Sequence, residues 1–222
     1  MRSSILPAFC NLAPFVALSV CAGVLLRQDQ PAAAAQLAPA PQQAAANLAV
    51  PEGDYIRWLD ATGATLSFET SFLHVPHLDI KPGDCPNPLK IDPVGPTDMA
   101  VSKVPVSIIG NAFDVTQVDL GSVHMSVADI PELEGPEISP FAFAFLDTGT
   151  PFEGKECGCH TLTGDGELDL SMSFNRLQMI DEFGLDQLET GTNVQLRVTG
   201  TILNGKAQFV IYDCVRIQHA PQ

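Results

Sequence analysis

From Tyr55 onward, short runs of alternating apolar and polar residues are separated by glycine and proline. The clearest run is 168–174, in which every second residue is apolar. A period of two places the apolar side chains on one face of a half-buried strand. The pattern therefore predicts a mostly β domain. Comparable runs lie at 66–68, 104–109, 123–127, 141–145, 194–202 and 207–212.

The last two runs flank Asn204-Gly205. This dipeptide tolerates the positive φ angles of a type I′ turn, so the sequence predicts a β-hairpin at this point.

One helix is predicted over residues 176–183, where Leu177, Ile180 and Phe183 recur at a spacing of three. Gly184 follows at the position of a helix C-cap. Many short strands with one short helix favour an antiparallel β-sandwich-like domain, stapled by disulfides, and a closed barrel is the alternative.

The first residues are typical of a signal peptide. Arg2 precedes an apolar run over residues 5–26, and residues 32–35 are all alanine, as a cleavage site requires. Residues 1–35 are therefore interpreted as a signal peptide. An uncleaved membrane anchor is an alternative, since about 20 apolar residues can span a bilayer. Lipidation at Cys21 is a third.

Residues 36–50 contain mainly alanine, proline and glutamine, with no charge. Such a stretch buries too little apolar surface to fold, so it is interpreted as a linker. Residues 51–222 then form a single β domain in a secreted, bacterial-type protein. Its expected location is extracellular, periplasmic or on the cell surface.

The chain is acidic, with a formal net charge of −15 at pH 7. Binding to nucleic acid depends on clustered lysine and arginine, and the sequence has no such cluster. Nucleic acid is therefore not an expected partner, and the N-terminal segment, if uncleaved, is the one expected membrane contact. An unidentified protein or surface polymer is the expected partner.

Four cysteines lie beyond the predicted signal peptide: Cys85, Cys157, Cys159 and Cys214. An even number in an exported chain predicts two disulfides, with three possible pairings. In a strand, Cα atoms two residues apart are separated by about 6.6 Å, at the wide end of disulfide geometry. Cys157 and Cys159 are therefore each expected to bond with Cys85 or Cys214.

Zinc is the alternative for these cysteines. Cys157, Cys159 and His160 offer three ligands within four residues, and His74 and His77 offer two more. The spacing departs from the usual Cys-x-x-Cys knuckle, which favours disulfides.

Residues 164–169 are similar to the second half of a calcium-binding loop. Asp165, Glu167 and Asp169 fall at positions 5, 7 and 9, with Gly166 at the sharp turn. They are the candidate metal ligands. No cofactor is expected, and calcium is the alternative.

The remaining loop positions do not match, because Thr161, Thr163 and Met172 stand where acidic residues are required. Another segment would have to supply oxygens, and the candidates are Asp114, Asp119 and Asp147. An ordinary Asp-Gly turn opening the next strand is therefore favoured over a metal site.

No nucleophile elbow, phosphate-binding loop or His-Glu-x-x-His motif is present in the sequence. No catalytic residue is therefore predicted, and the protein is expected not to be an enzyme. A hydrolase of extracellular polymers stays an alternative, because its two carboxylates are joined in space and not in sequence.

One resemblance rests on several blocks in order. Residues 79–90 resemble the Asp-Ile-Lys-Pro-Gly-Ser-Cys-Pro-Asn-Pro-Leu-Asn opening of an uncharacterised bacterial exported domain, and differ at Asp84 and Lys90. Residues 104–110 and 113–116 resemble its next block. Its Cys-x-Cys, Asp-Gly-x-x-Asp-Leu and Asp-Cys-Val blocks match 157–159, 165–170 and 213–215.

The resemblance implies an exported domain of unestablished function, often found beside enzymes or adhesive repeats. Members often carry a richer Asp-x-Asp-Gly-Asp-Gly loop, where this chain has Thr161-Leu162-Thr163. The sequence thus predicts a non-catalytic surface, accessory or binding module, with a calcium-dependent binding module as the alternative.

Overall fold

Two β-sheets share one apolar core in the computed structural model, which describes residues 48–70, 75–91, 102–110, 114–128, 135–149, 157–158 and 163–220. All of these residues belong to one compact unit, Ala46–Gln222. The predicted signal peptide and residues 36–47 of the predicted linker lie outside the described residues. The described part is mostly β, as predicted.

The larger sheet has six strands in the order β2-β1-β10-β9-β6, with β4 beside the end of β10. Its pairings are antiparallel except for β4, which runs parallel to β10. The strands are β1 (Tyr55–Leu59), β2 (Thr65–Glu69), β4 (Pro88–Lys90), β6 (His124–Val127), β9 (Asn193–Ile202) and β10 (Ala207–Gln218).

The smaller sheet has four strands in the antiparallel order β3-β5-β8-β7. They are β3 (His77–Ile80), β5 (Lys103–Ile109), β7 (Ala142–Leu146) and β8 (Asp169–Asn175). Two packed, mainly antiparallel sheets confirm the predicted sandwich-like class over the barrel.

The core lies between the inner faces of the two sheets. Val106, Ile108, Leu170 and Met172 from the smaller sheet belong to the same buried cluster as residues of β9 and β10. Gly200 in β9 leaves room for the ring of Phe209, because a Cβ at this position would lie 2.5 Å from a ring carbon. Alternation along β8, β9 and β10 has thus placed apolar side chains where the sequence predicts them.

The helix α1 (Arg176–Glu182) begins at Asn175, whose side chain accepts hydrogen bonds from two backbone N–H groups of the first turn. Its existence and its end before Gly184 are confirmed. The predicted apolar stripe is wrong at one position, because Leu177 is exposed and Met179 is fully buried. Arg176 is buried as well, since its guanidinium donates to the Lys90 carbonyl and the Ser102 hydroxyl.

The hairpin between β9 and β10 is confirmed, with a four-residue loop over 203–206 that replaces the expected two-residue turn. Leu203, Asn204 and Gly205 all have positive φ, at 54°, 57° and 80°. Ile202 and Ala207 therefore form the last cross-strand pair.

A disulfide joins Cys157 to Cys214 of β10. Cys85 is disulfide-bonded too, and its partner lies outside the described residues. Cys157 is thus unavailable as a zinc thiolate, whereas Cys159, His160 and His74 are not described. Within the described ranges, α1 and the short 3₁₀ turns are the helical elements, and none has the length and apolarity of a membrane-spanning helix.

Candidate functional site

The strand β7 forms the edge of the smaller sheet, since β8 is its one partner among the described strands. Every residue from Phe141 to Leu146 is exposed. Exposed fractions are 62% for Phe141, 36% for Phe143, 39% for Phe145 and 50% for Leu146. The sequence correctly predicts a strand here, and the expected half-burial is wrong.

The register with β8 explains which way these side chains point. Phe143 lies opposite Met172, and Phe145 lies opposite Leu170. Directly opposed residues share a face of the sheet, and both partners are core residues. The two rings therefore extend the inner face beyond the part that the larger sheet covers. Residues 141–146, with no charged side chain and no proline, are called the aromatic edge below.

A hydrogen-bonded turn lies at the C-terminal end of the aromatic edge. The Asp147 carboxylate accepts hydrogen bonds from the backbone N–H groups of Asp165 and Gly166, both at 3.0 Å. A Cβ on Gly164 would lie 2.5–2.6 Å from the same carboxylate, so only glycine permits this approach. Asp165 in turn accepts a hydrogen bond from the N–H of Glu167, as expected for the Asp-Gly turn that the sequence favours.

The three predicted calcium ligands lie in two different environments. Asp165 and Glu167 are exposed, whereas Asp169 is completely buried in β8. Its carboxylate accepts from the N–H of Gly110, from the N–H and hydroxyl of Thr148, and from the N–H of Gly149. These four donors occupy the lone pairs that a cation would need.

The additional oxygen candidates are also engaged locally. Asp114 and Asp119 cap the short 3₁₀ turns Val115–Gln117 and Leu120–Ser122. Hydrogen bonds, chiefly from the Thr116 hydroxyl and the Gln117 amide, lower the pKa of Asp114. No group of three or more histidine, cysteine or acidic side chains that could hold a metal ion occurs within the described part of the chain. Calcium binding stays a prediction.

A row of buried carboxyl groups runs from Asp169 to the larger sheet, and the sequence analysis missed it. Asp79 in β3 and Asp213 in β10 are 2% and 1% exposed. Burial raises the pKa of Asp79 to about 7, and the neighbouring Asp169 adds to this by repulsion. Burial likewise raises the pKa of Asp213 to about 7, with repulsion from Asp79 and Asp54.

Asp213 joins the two sheets. Its Oδ2 accepts from the N–H of Ile80, at the outer edge of β3, and from the Asn87 amide. Asn87 also donates to the Cys214 carbonyl. These hydrogen bonds lie along β10 between the residues that pair with β1 and those that pair with β4. Oδ1 of Asp213 has no hydrogen-bond partner among the residues described.

A histidine–carboxylate pair lies beside this row. His77 Nδ1 is 3.0 Å from Asp54 Oδ2, and Asp54 Oδ1 accepts from the N–H of Tyr212. Carboxyl groups with raised pKa values next to a histidine are a pattern found in active sites. A substrate cannot contact Asp79 or Asp213 in this structure, because both side chains are almost completely covered.

An open depression of about 460 Å³ lies elsewhere, beside the hairpin loop. Asp119, one of its lining residues, already accepts a hydrogen bond from Gly121. Its lining residues are Thr116, Gln117, Val118, Asp119, Leu203 and Asn204.

Comparisons of the chain with family models, curated proteins and solved structures found no match. The resemblance described above therefore stays a prediction. The aromatic edge and the acidic turn at its C-terminal end form an exposed surface that a partner can contact.

Proposed function

We propose that residues 51–222 form an exported, non-catalytic binding module that adds an extended segment of a protein partner to the aromatic edge. The single observation that carries this proposal is the exposure of all six residues from 141 to 146 on an edge strand. The disulfide between Cys157 and Cys214 supports an oxidising location, because such bonds are rare in reducing compartments.

An edge strand exposes unpaired N–H and C=O groups that can pair with another chain. Proteins usually protect such edges with lysine, proline or a bulge. The aromatic edge contains no lysine or proline, and its register with β8 is continuous. Its phenylalanines offer apolar contact area in addition to the backbone groups. Strand addition uses both, since main-chain hydrogen bonds supply affinity and alternate side-chain pockets supply specificity.

The outer strand β2 of the larger sheet provides a contrast within the same molecule. β2 is also an edge, and its Leu66 is 62% exposed, as Phe141 is. Its neighbours on the strand are Thr65, Ser67, Phe68 and the charged Glu69. β2 thus exposes a large apolar residue as β7 does, but polar and charged residues interrupt it. Of these two strands, only β7 is apolar along its whole length.

Strand addition is testable with an acetylated, amidated peptide of alternating valine and threonine, titrated into isotope-labelled protein. Backbone amide resonances of residues 141–146 are expected to shift, with a dissociation constant on the order of 100 μM for so small an interface. Phe143→Lys is expected to weaken binding at least tenfold, because it places a charge among the apolar contacts. Leu66→Lys, the matched control on β2, should leave binding unchanged. Shifts confined to β2, or equal effects of the two variants, would contradict the proposal.

Calcium dependence is the alternative binding function, and it has a separate expected result. Because Asp147 and Asp169 already accept backbone hydrogen bonds, adding millimolar calcium in place of a chelator is expected to change the melting temperature by less than about 1 °C. The measurement is thermal unfolding of the disulfide-intact protein. A rise of several degrees that Asp165→Asn abolishes would establish the calcium site instead.

A hydrolase would need two carboxyl groups facing a groove, roughly 5 to 9.5 Å apart. The buried pair Asp79 and Asp213 does not meet the requirement for access to substrate. Nothing else in the described residues favours this alternative over binding.

A further inference from the structure

Among the described residues, the two ends of the aromatic edge differ in the number of acidic side chains. Asp147, Asp165 and Glu167 are exposed together at its C-terminal end. The hydrogen bonds from Asp165 and Gly166 to Asp147 fix the turn against the end of β7. The described residues just before the N-terminal end are Ser139 and Pro140, and that segment carries one exposed carboxylate, on Glu137. The Ser139 hydroxyl contacts His124.

The three carboxylates have no basic partner in the described part of the chain. The ion pairs found there join His77 to Asp54 and Lys81 to Asp84, both away from β7. The whole chain is acidic, at −15, so the charges of other surfaces add to the negative potential at this end. A bound segment with a positive charge here gains attraction that a neutral or acidic segment lacks.

The sheet also favours one direction for the added segment. Every pairing in the smaller sheet is antiparallel, and antiparallel pairing is slightly the more stable arrangement per residue. An antiparallel segment begins opposite Leu146, next to the carboxylates, and ends opposite Phe141. Its residues opposite Phe143 and Phe145 face the apolar side, whereas those opposite Ala142 and Ala144 face the outer side.

We infer that the partner segment is an extended strand with a lysine or arginine at its N-terminal end, followed by alternating apolar residues that pair antiparallel with the aromatic edge. This inference rests on the proposed function and adds the chemistry and direction of the partner. A second copy of this chain is disfavoured as occupant, because each copy carries the same large negative charge.

The test compares three acetylated, amidated peptides with the same valine–threonine core. One has arginine at the N-terminal end, one has arginine at the C-terminal end and one has glutamate at the N-terminal end. The first is expected to bind about fivefold more tightly than the second, and more tightly still than the third, as for one exposed ion pair. The preference is expected to disappear in 1 M sodium chloride, where charges are screened within about 3 Å.

A pair of variants separates local charge from net charge. Asp165→Asn with Glu167→Gln should remove most of the preference for N-terminal arginine, because only Asp147 remains of the three carboxylates. Asp181→Asn with Glu182→Gln removes the same charge from the exposed side of α1 and should retain the preference.

Equal binding of the three peptides, with shifts at residues 141–146, would overturn this inference and leave strand addition standing. Failure of every peptide to shift those amides would overturn both. Sedimentation of the protein alone as a dimer, broken by Phe143→Lys and retained in Leu66→Lys, would overturn the inference by identifying a second copy as the occupant.

Discussion

Replacing both Cys157 and Cys214 by serine is expected to lower the free energy of unfolding by about 4 kcal/mol. The bond closes a loop with a sequence separation of 57 residues, and the chain-entropy model assigns about this stabilisation to a loop of that length. Removing both cysteines avoids leaving an unpaired thiol. Since small domains are stable by about 5–15 kcal/mol, the variant should approach marginal stability.

The measurement is urea unfolding of the variant and the parent protein, both without reductant. The control is Ser173→Ala, a small substitution at a half-buried position of β8 that leaves the disulfide intact. A loss below about 1 kcal/mol would show that the unfolded chain is already restricted near these residues and would contradict the expectation.

The second large effect concerns pH and Asp213. The pKa values of Asp213 and Asp79 are raised from 3.8 to about 7 in the folded protein. Between these two pH values, both carboxyl groups are therefore protonated in the folded state and ionised in the unfolded state. The folded state then binds more protons, and stability falls as pH rises from about 4 to about 7. Below pH 4 the contribution is fully present, and above pH 7 it is lost.

The change in the free energy of unfolding caused by Asp213→Asn is therefore expected to be more stabilising at pH 8 than at pH 4.5, by about 2 kcal/mol. The amide oxygen can replace Oδ2 as acceptor for Ile80 and Asn87, while the NH₂ group takes the position of the unpaired Oδ1. The expected difference in stability is smaller than the pKa shift of Asp213 alone would give, because Asp213 and Asp79 titrate as a coupled pair.

Urea unfolding at both pH values tests this expectation, with Asp181→Asn as a control that removes an exposed charge. Asp79→Asn gives an independent measurement if the first variant folds poorly. The same change in stability at pH 4.5 and pH 8 would mean that Asp213 is not the group that titrates.

The elements that the sequence predicts correctly are those whose own residues carry a strong local pattern. The hairpin of β9 and β10 was predictable because two long alternating runs flank Asn204-Gly205. β3 and β4 were not predicted as separate strands, since they have four and three residues and β4 pairs with residues more than 120 positions away. So short a strand depends on its neighbours more than on its own sequence.

The aromatic edge and the carboxyl row show the same limit. Alternation at 141–145 indicates a strand, but exposure depends on where the other sheet ends. Asp213 did leave a signal, because it occupies an apolar-face position between Ile211 and Val215. Its coupling to Asp79 could not be seen, because the two residues come from different sheets.

The pairing of β10 has a consequence for synthesis of the chain. β10 is the last described strand, and it supplies the hydrogen-bonding partner of β1, β4 and β9. β1 can pair earlier with β2, and β9 with β6, but these two pairs and β4 are joined to one another only through residues 207–218. The larger sheet therefore forms only after translation has reached this strand, and its long-range pairings make folding slow relative to that of helical domains of the same size.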